Sequence, residues 1–321
     1  MPIGDPPLPE VFTRAVAIER GLSHHQIVRR LRSGEFRRLR TGVYCLDDTW
    51  RQADRRRQHL LLAKGAYLAF PERCLSHVSA AAWHGLPLPF GATPVWLTGL
   101  PERGTWYDSQ VHVQAAPLLR GHVIRADELK VTTLARTVAD CLRHLTTEDA
   151  LIIGDAAVAR NSRLRAEVKA VLSSCTGWPF TDRARQRLSL LDGRHESPLE
   201  SASFVEMRQH DLPLPEPQVW VRDETGRVVG RGDFYWEQFA VLGEADGLMK
   251  YDVGAGDSGD GRRALVEEKR REDRLRALGL HVVRWGLAEL RSPGWAEWLR
   301  RELGKGDPGR FRGSVQSSRF L

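Results

Sequence analysis

The chain's 321 residues allow two or three domains at about 100–200 residues each, with room for real cores. Hydrophobic residues make up 41% and charged residues 28%, a balance that excludes a disordered chain, a collagen or a small disulfide scaffold. The net charge is +7 and is carried mainly by arginine, with 12 arginines against 7 acids inside residues 1–60; such a concentration is the electrostatic footprint of a nucleic-acid-binding module. No apolar run approaches the ~18–20 residues that cross a bilayer, so no membrane partner is expected. The start, Met1-Pro-Ile-Gly-Asp-Pro-Pro, lacks the basic-then-apolar order of a signal peptide. Cys45, Cys74, Cys141 and Cys175 form no CxxC pair, which argues against a disulfide frame or thiolate zinc site and for a reducing cytoplasm.

In chain order, the spacing of Val11–Arg20 predicts a helix ended by Gly21. Ser23 then caps a second helix in which Ile27 and Leu31 form the buried stripe. Arg29, Arg30 and Arg32 fall off that stripe and are expected to face outward. Phe36-Arg-Arg-Leu-Arg-Thr-Gly-Val-Tyr-Cys-Leu follows as a basic hairpin turning at Arg40-Thr-Gly42, with Arg37, Arg38 and Arg40 on its first arm. Helix, turn, helix and basic ribbon together describe a winged helix. Its helix would read a major groove while its wing holds phosphate. Double-stranded DNA is therefore the expected partner, through Arg29, Arg30, Arg32, Arg37, Arg38 and Arg40.

Gly21-Leu22-Ser23 and Leu31-Arg-Ser-Gly-Glu-Phe-Arg-Arg-Leu-Arg-Thr-Gly-Val-Tyr resemble the amino-terminal domain of the AbiEi antitoxin family of type IV toxin–antitoxin systems, over about 50 residues. The resemblance implies a winged helix-turn-helix, often used to autoregulate an operon, and a nucleotidyltransferase toxin as partner.

Residues 65–190 read as short strands (Val95–Thr98, Val111–Gln114, His122–Arg125) and helices near 133–145, 147–160 and 163–174. Leu75-Ser-His-Val-Ser-Ala-Ala-Ala-Trp-His-Gly-Leu predicts an alanine-rich helix capped by Ser76, and resembles a stretch that follows the winged helix in AbiEi-like proteins. His77 and His84 share a face, but seven residues apart they lack metal-pair spacing, so packing or capping is expected of them. In Val131-Thr-Thr-Leu-Ala-Arg-Thr-Val-Ala-Asp, Thr133 can cap, and Arg136 can pair with Asp140 at i,i+4.

Residues 195–302 read helix, strand, strand, strand, helix, strand, helix. Asp233 lies on one strand, and Glu244 and Asp246 lie on the return strand, sharing a face by the period of two. With a two-residue turn, Asp233 sits opposite Leu242 and diagonal to Glu244. Three converging carboxylates repel unless a proton or cation lies between them, and an all-oxygen cluster suits Mg²⁺ rather than zinc. In the next helix Glu267-Glu-Lys-Arg-Arg-Glu-Asp-Arg274 is all charge. Ala264 and Leu275 define its inner face, which Glu268 and Arg271 share, with Lys269 near the edge; a charge there is costly unless paired or used. Upstream, Glu200 shares a helix face with Phe204 and Met207. Gly254–Gly261 lacks a P-loop's Gly-Lys-Ser/Thr ending and reads as a surface loop. The Gly- and Ser-rich residues 304–321 read as a disordered tail.

Glu196-Ser-Pro-Leu-Glu200-Ser, Gly232-Asp233-Phe-Tyr-Trp, Gly243-Glu244-Ala-Asp246-Gly-Leu-Met-Lys250-Tyr and Glu268-Lys269-Arg-Arg271-Glu-Asp273-Arg-Leu resemble the PD-(D/E)XK nuclease superfamily near its very-short-patch-repair branch. The resemblance implies a mixed central sheet flanked by helices and Mg²⁺- or Mn²⁺-dependent DNA cleavage. Asp233 and Glu244 match the metal-binding acids and Glu200 the helix-borne acid. Asp246 stands where many members carry the catalytic lysine, whose ammonium Lys250 or Lys269 would then supply. The expected fold is thus α/β (α+β, multidomain): a winged helix-turn-helix over residues 1–64, a mixed α/β segment over 65–190, and a restriction-endonuclease-like domain over 191–303. Two functions follow: a metal-dependent endonuclease carried to DNA by its own winged helix, or an AbiEi-like repressor whose nuclease-like domain no longer cuts.

Overall fold

The computed structural model of the protein describes residues 8–126, 128–246 and 259–318. The architecture is mixed α/β with three sheets, and the chain divides into two compact units: Met1–Ala157 with Ser162–Ser189, and Val158–Asn161 with Leu190–Leu321. Among the described residues, no helix is long and apolar enough to cross a membrane.

The first unit opens with β1 (Val11–Thr13), α1 (Arg14–Glu19), α2 (His24–Arg32), β2 (Phe36–Arg40), β3 (Val43–Leu46), α3 (Asp47–Gln52) and α4 (Arg55–Ala69). The helix expected from Val11 thus starts only at Arg14. Val11–Thr13 instead pair antiparallel with Val43–Cys45, so the small sheet runs β1-β3-β2. The residues before Arg14 alternate toward two cores, and that alternation favours a strand. Phe12 packs with Ala17, Ile27, Phe36 and Tyr44 under α1 and α2, while Val11 packs with Leu39, Val43, Cys45 and Leu61 under α4. Ser23 caps α2 as expected, in a reciprocal box with Gln26.

A six-stranded sheet follows, ordered β6-β7-β5-β4-β9-β8. Its strands are β4 (Cys74–Leu75), β5 (Val95–Gly99), β6 (Trp106–Tyr107), β7 (Val111–Ala115), β8 (Val123–Ala126) and β9 (Leu129–Thr132). Between and after these come α5 (His77–Trp83), α6 (Leu134–His144), α7 (Thr147–Arg160), α8 (Leu164–Ser174) and α9 (Thr181–Leu190). A boundary at residue 64 falls inside α4. Leu61 of that helix enters the small sheet's core, and Ala63 and Ala66 enter the core of the larger sheet with Leu75 and Leu97. One helix serves both cores, so the segments on either side of residue 64 belong to one unit.

The second unit holds α10 (Pro198–Gln209), β10 (Glu216–Asp223), β11 (Val228–Trp236), β12 (Val241–Ala245), α11 (Gly259–Ala277), β13 (His281–Trp285), α12 (Leu287–Leu290), α13 (Trp295–Leu303) and β14 (Gly313–Ser317). The sheet order is β13-β12-β11-β10-β14, antiparallel except where α11 crosses over to make β12 and β13 parallel. Leu275 of α11 packs with Val219, Leu242 and Val282 on one face. On the other, Trp285 donates to Ser203 Oγ of α10 at 2.8 Å. The disordered tail expected after Leu303 is corrected here: β14 pairs with β10, and Phe311 and Val315 pack against the core. Two apolar side chains and an open strand edge order a segment whose Gly and Ser content reads as a tail.

Candidate functional site

The six amino-terminal arginines divide into two groups. Arg30 is buried, pairs with Glu35 at 3.2 Å and lies over the Phe36 ring. Arg37 donates Nε to Asp47 at 2.7 Å and covers Trp50, and its guanidinium holds the Asp47 carboxyl below the usual carboxylate range. Arg40 pairs with Asp108 at 2.9 Å and lies over Phe70. These three are spent on packing, contrary to the outward placement expected of Arg30. Arg29 and Arg32 on α2 and Arg38 on β2 are exposed, so three cations from two adjacent elements remain available to a polyanion.

The carboxylates of the second unit also divide. The β11–β12 connection is not a two-residue turn: Glu237–Phe239 form a short 3-10 turn, Ala240 adopts φ 49°, and Phe234 pairs with Gly243. Continued one step, that register sets Asp233 across from Glu244 rather than diagonal to it, so their different partners and not the register divide the two carboxylates. The regular β10–β11 pairing also skips Gln218 and Asp233, where Gln218 has φ 53°. Released from the ladder, buried Gln218 donates Nε2 to Glu200 at 2.7 Å and to Asp233 at 3.2 Å. Asp233 also accepts the Ala245 backbone N–H at 2.9 Å, and Glu200 that of Glu196 at 3.0 Å. Burial pushes both carboxyls up, and Asp233 pushes Glu200 further. Nothing in the local sequence marks Gln218; its role depends on the broken pleat.

Glu244 belongs to a different set. It is buried on the strand face that carries Leu242 and meets α11. One carboxylate oxygen accepts Arg271 Nη2 at 2.7 Å, and the other lies 2.6 Å from Arg284 Nε. The two arginines also hold Glu268, at 2.6 and 2.5 Å, and hydrogen bonds from Arg271 bring the Glu268 carboxyl down to about 2. Burial raises Glu244, and Arg271 and Arg284 oppose that rise. Asp246 is exposed, 4.0 Å from Arg284, and Lys269 is exposed. Lys250 lies outside the described residues, as do positions 254–258 of the glycine-rich loop. The inward placement of Glu268 and Arg271 on α11 agrees with the sequence expectation. Arg284, in what reads as a buried strand, does not announce its ion pairs.

These residues do not fit a divalent cation held by Asp233 and Glu244. A hard cation needs oxygens whose charge is unmet, and both oxygens of Glu244 already face guanidiniums that stay protonated under all ordinary conditions. Asp233 is directed to Gln218 and a backbone amide, and no triad of Asp233, Glu244 and Asp246 forms among the described residues.

The first unit contains a cluster missing from the sequence expectations. His77 is fully buried at the start of α5, and its Nε2 lies 2.9 Å from His144 Nδ1, while its Nδ1 meets Ser76 Oγ at 2.9 Å. Ser76 therefore serves the imidazole rather than capping the helix by its side chain. Asp140 adjoins this pair and forms ion pairs with Arg136 at 2.7 Å and Arg143 at 3.2 Å. Both arginines flank the Trp178 ring. Burial, aided by the nearby cations, holds His77 well below the ordinary range and His144 down to about 3. Two buried guanidiniums beside Asp140 make this a poor home for a cation. His84 stands apart, against the Thr132 carbonyl at 2.8 Å.

No family model matches the chain. Over 152 residues it is 29% identical to the uncharacterized proteins MT2308 and Rv2248 of Mycobacterium tuberculosis, strains CDC 1551 / Oshkosh and ATCC 25618 / H37Rv. The match takes in 47% of this chain and 53% of each relative, so the chain spans about half the length of the curated relatives it matches.

Proposed function

We propose that the protein is a duplex-DNA-binding regulator of the AbiEi antitoxin kind, acting through a winged helix-turn-helix at its amino terminus, with a nuclease-like carboxyl-terminal unit that does not cut. The reading is carried by the division among the arginines: Arg29, Arg32 and Arg38 stand exposed on one helix and the adjoining hairpin, while Arg30, Arg37 and Arg40 stiffen the scaffold beneath. Phosphate contacts of this sort position a helix on a duplex, and base-edge contacts then supply selectivity. The choice of regulator over endonuclease rests on Glu244, whose charge is met by Arg271 and Arg284. A nucleotidyltransferase partner follows from the AbiEi resemblance alone.

Selection from a random duplex library tests this reading. The full chain is expected to enrich a defined motif. Replacing Arg29, Arg32 and Arg38 by Ala should weaken binding to that motif and flatten its dependence on log salt by about 0.9 per lost phosphate contact. Plasmid incubated with the protein and Mg²⁺ or Mn²⁺ should stay intact. A folded triple variant that binds as tightly as the parent, or cleavage that Asp233→Ala abolishes, would overturn the proposal.

A further inference from the structure

We infer that Arg271 and Arg284 supply permanently the counter-charge that a divalent cation gives the nucleases this unit resembles, so that the native chain takes no Mg²⁺ or Mn²⁺ at Glu244. The two guanidiniums come from the two elements that flank Glu244. Arg284 is its register partner on parallel β13, and Arg271 descends from α11. Arg271 donates to one oxygen of Glu244 and Arg284 pairs in charge with the other, and together they bridge to Glu268; Arg284 also lies 3.3 Å from Glu272. Arg271 is further fixed by donating Nη1 to the Arg231 carbonyl at 3.0 Å. Its stem lies over Gly230, where a Cβ would come within 3.4 Å of it. The network is therefore seated in the sheet rather than draped on the surface.

A cation entering at Glu244 would have to displace both guanidiniums. Neither can shed its proton, so two positive charges would stay within a few ångströms of the newcomer. With both removed, the carboxylates of Glu244 and Glu268, which the two guanidiniums now bridge, would carry unmet charge of the kind hard cations prefer. Metal affinity at Glu244 and DNA affinity through Arg29, Arg32 and Arg38 are measured separately, so either can fail without the other.

Mn²⁺ titration of the full chain, followed by Mn²⁺ electron paramagnetic resonance, decides it. Wild type is expected to show no saturable site that Glu244→Gln removes. The Arg271→Gln, Arg284→Gln double variant, checked for folding by circular dichroism, should bind Mn²⁺ roughly tenfold tighter or more. Adding Glu244→Gln should erase that gain. If the double variant does not fold, Arg284→Gln alone is expected to move affinity in the same direction. Saturable wild-type binding lost in Glu244→Gln overturns the inference, and so does a folded arginine variant without gain.

Discussion

At the scale of the residue, the difference between a cation free to act and one consumed by the fold decides most of the chemistry. Arg37 and Arg38 are neighbours on one strand, yet one is tied to Asp47 and Trp50 and the other faces solvent. On the proposed DNA-binding role, Arg38→Ala is expected to lower DNA affinity with an unchanged thermal midpoint, and Arg37→Ala to lower the midpoint. Melting curves and fluorescence anisotropy on the same two variants check this. The sequence separates these roles poorly, because alternation tells which side chains leave the core but not which find a partner from a distant segment. Asp47 and Asp108 are such partners. Asp140 is the opposite case: its pairing with Arg136 four residues away is legible from helix geometry. Its second ion pair, to Arg143, and its burial come from the fold. Asp140→Ala would leave two guanidiniums buried without their counter-charge, and should cost about 3–5 kcal/mol in urea unfolding.

At the scale of the element, close packing and edge pairing replace rules of composition. Gly243 on β12 is wedged against aromatic rings, and a Cβ there would come 2.8 Å from Trp285 and 2.9 Å from Trp236. Gly243→Ala is expected to destabilise by about 1–3 kcal/mol, measured as a fall in denaturation midpoint. The terminal strand β14 makes the same point from the other side. Read by composition, residues 304–321 resemble a tail; in three dimensions β10 has an edge open to them, and Val315 and Phe311 have apolar surface to cover. Deleting residues 305–321 should lower the thermal midpoint and, by baring the β10 edge, increase concentration-dependent aggregation in light scattering. Helices α6, α7 and α8 were legible almost residue for residue, since each shows a strong period or cap. The strand at Val11–Thr13 was not, because three residues give too short a run to tell alternation from a helical turn.

At the scale of the whole molecule, two units carry titratable groups with opposite responses to pH. In the first unit, burial lowers His59 to about 4 and His144 to about 3, and takes His77 down as well. Groups depressed in the fold bind protons mainly when unfolded. Their stability contribution is complete above an unfolded pKa of about 6.5 and is lost as pH falls toward the folded value, at up to about 1.4 kcal/mol per unit for each histidine. In the second unit Glu200, Asp233 and Glu244 are raised, so the stability they contribute is lost as pH climbs above the ordinary carboxylate range, whereas the contribution of Glu268, lowered to about 2, is lost only at lower pH. Hydrogen exchange read by mass spectrometry, corrected for intrinsic rates, should show α5 and α6 losing protection as pH falls below about 6.5, and α10 and β11 losing it as pH rises above the ordinary carboxylate range. Parallel changes in both units would refute this assignment. By itself the sequence determined the mixed α/β class, the main run of helices and strands over residues 195–302, the basic amino terminus and the charged inner face of α11, because all of these follow from local periodicity and from where charge lies along the chain. Only the tertiary structure decided that α4 serves two cores, that the tail is a strand, that Gln218 joins Glu200 to Asp233, and that two arginines neutralise Glu244. Each of those depends on which distant residue fills the remaining space or meets the remaining charge, and a single strand or helix carries no record of its neighbours.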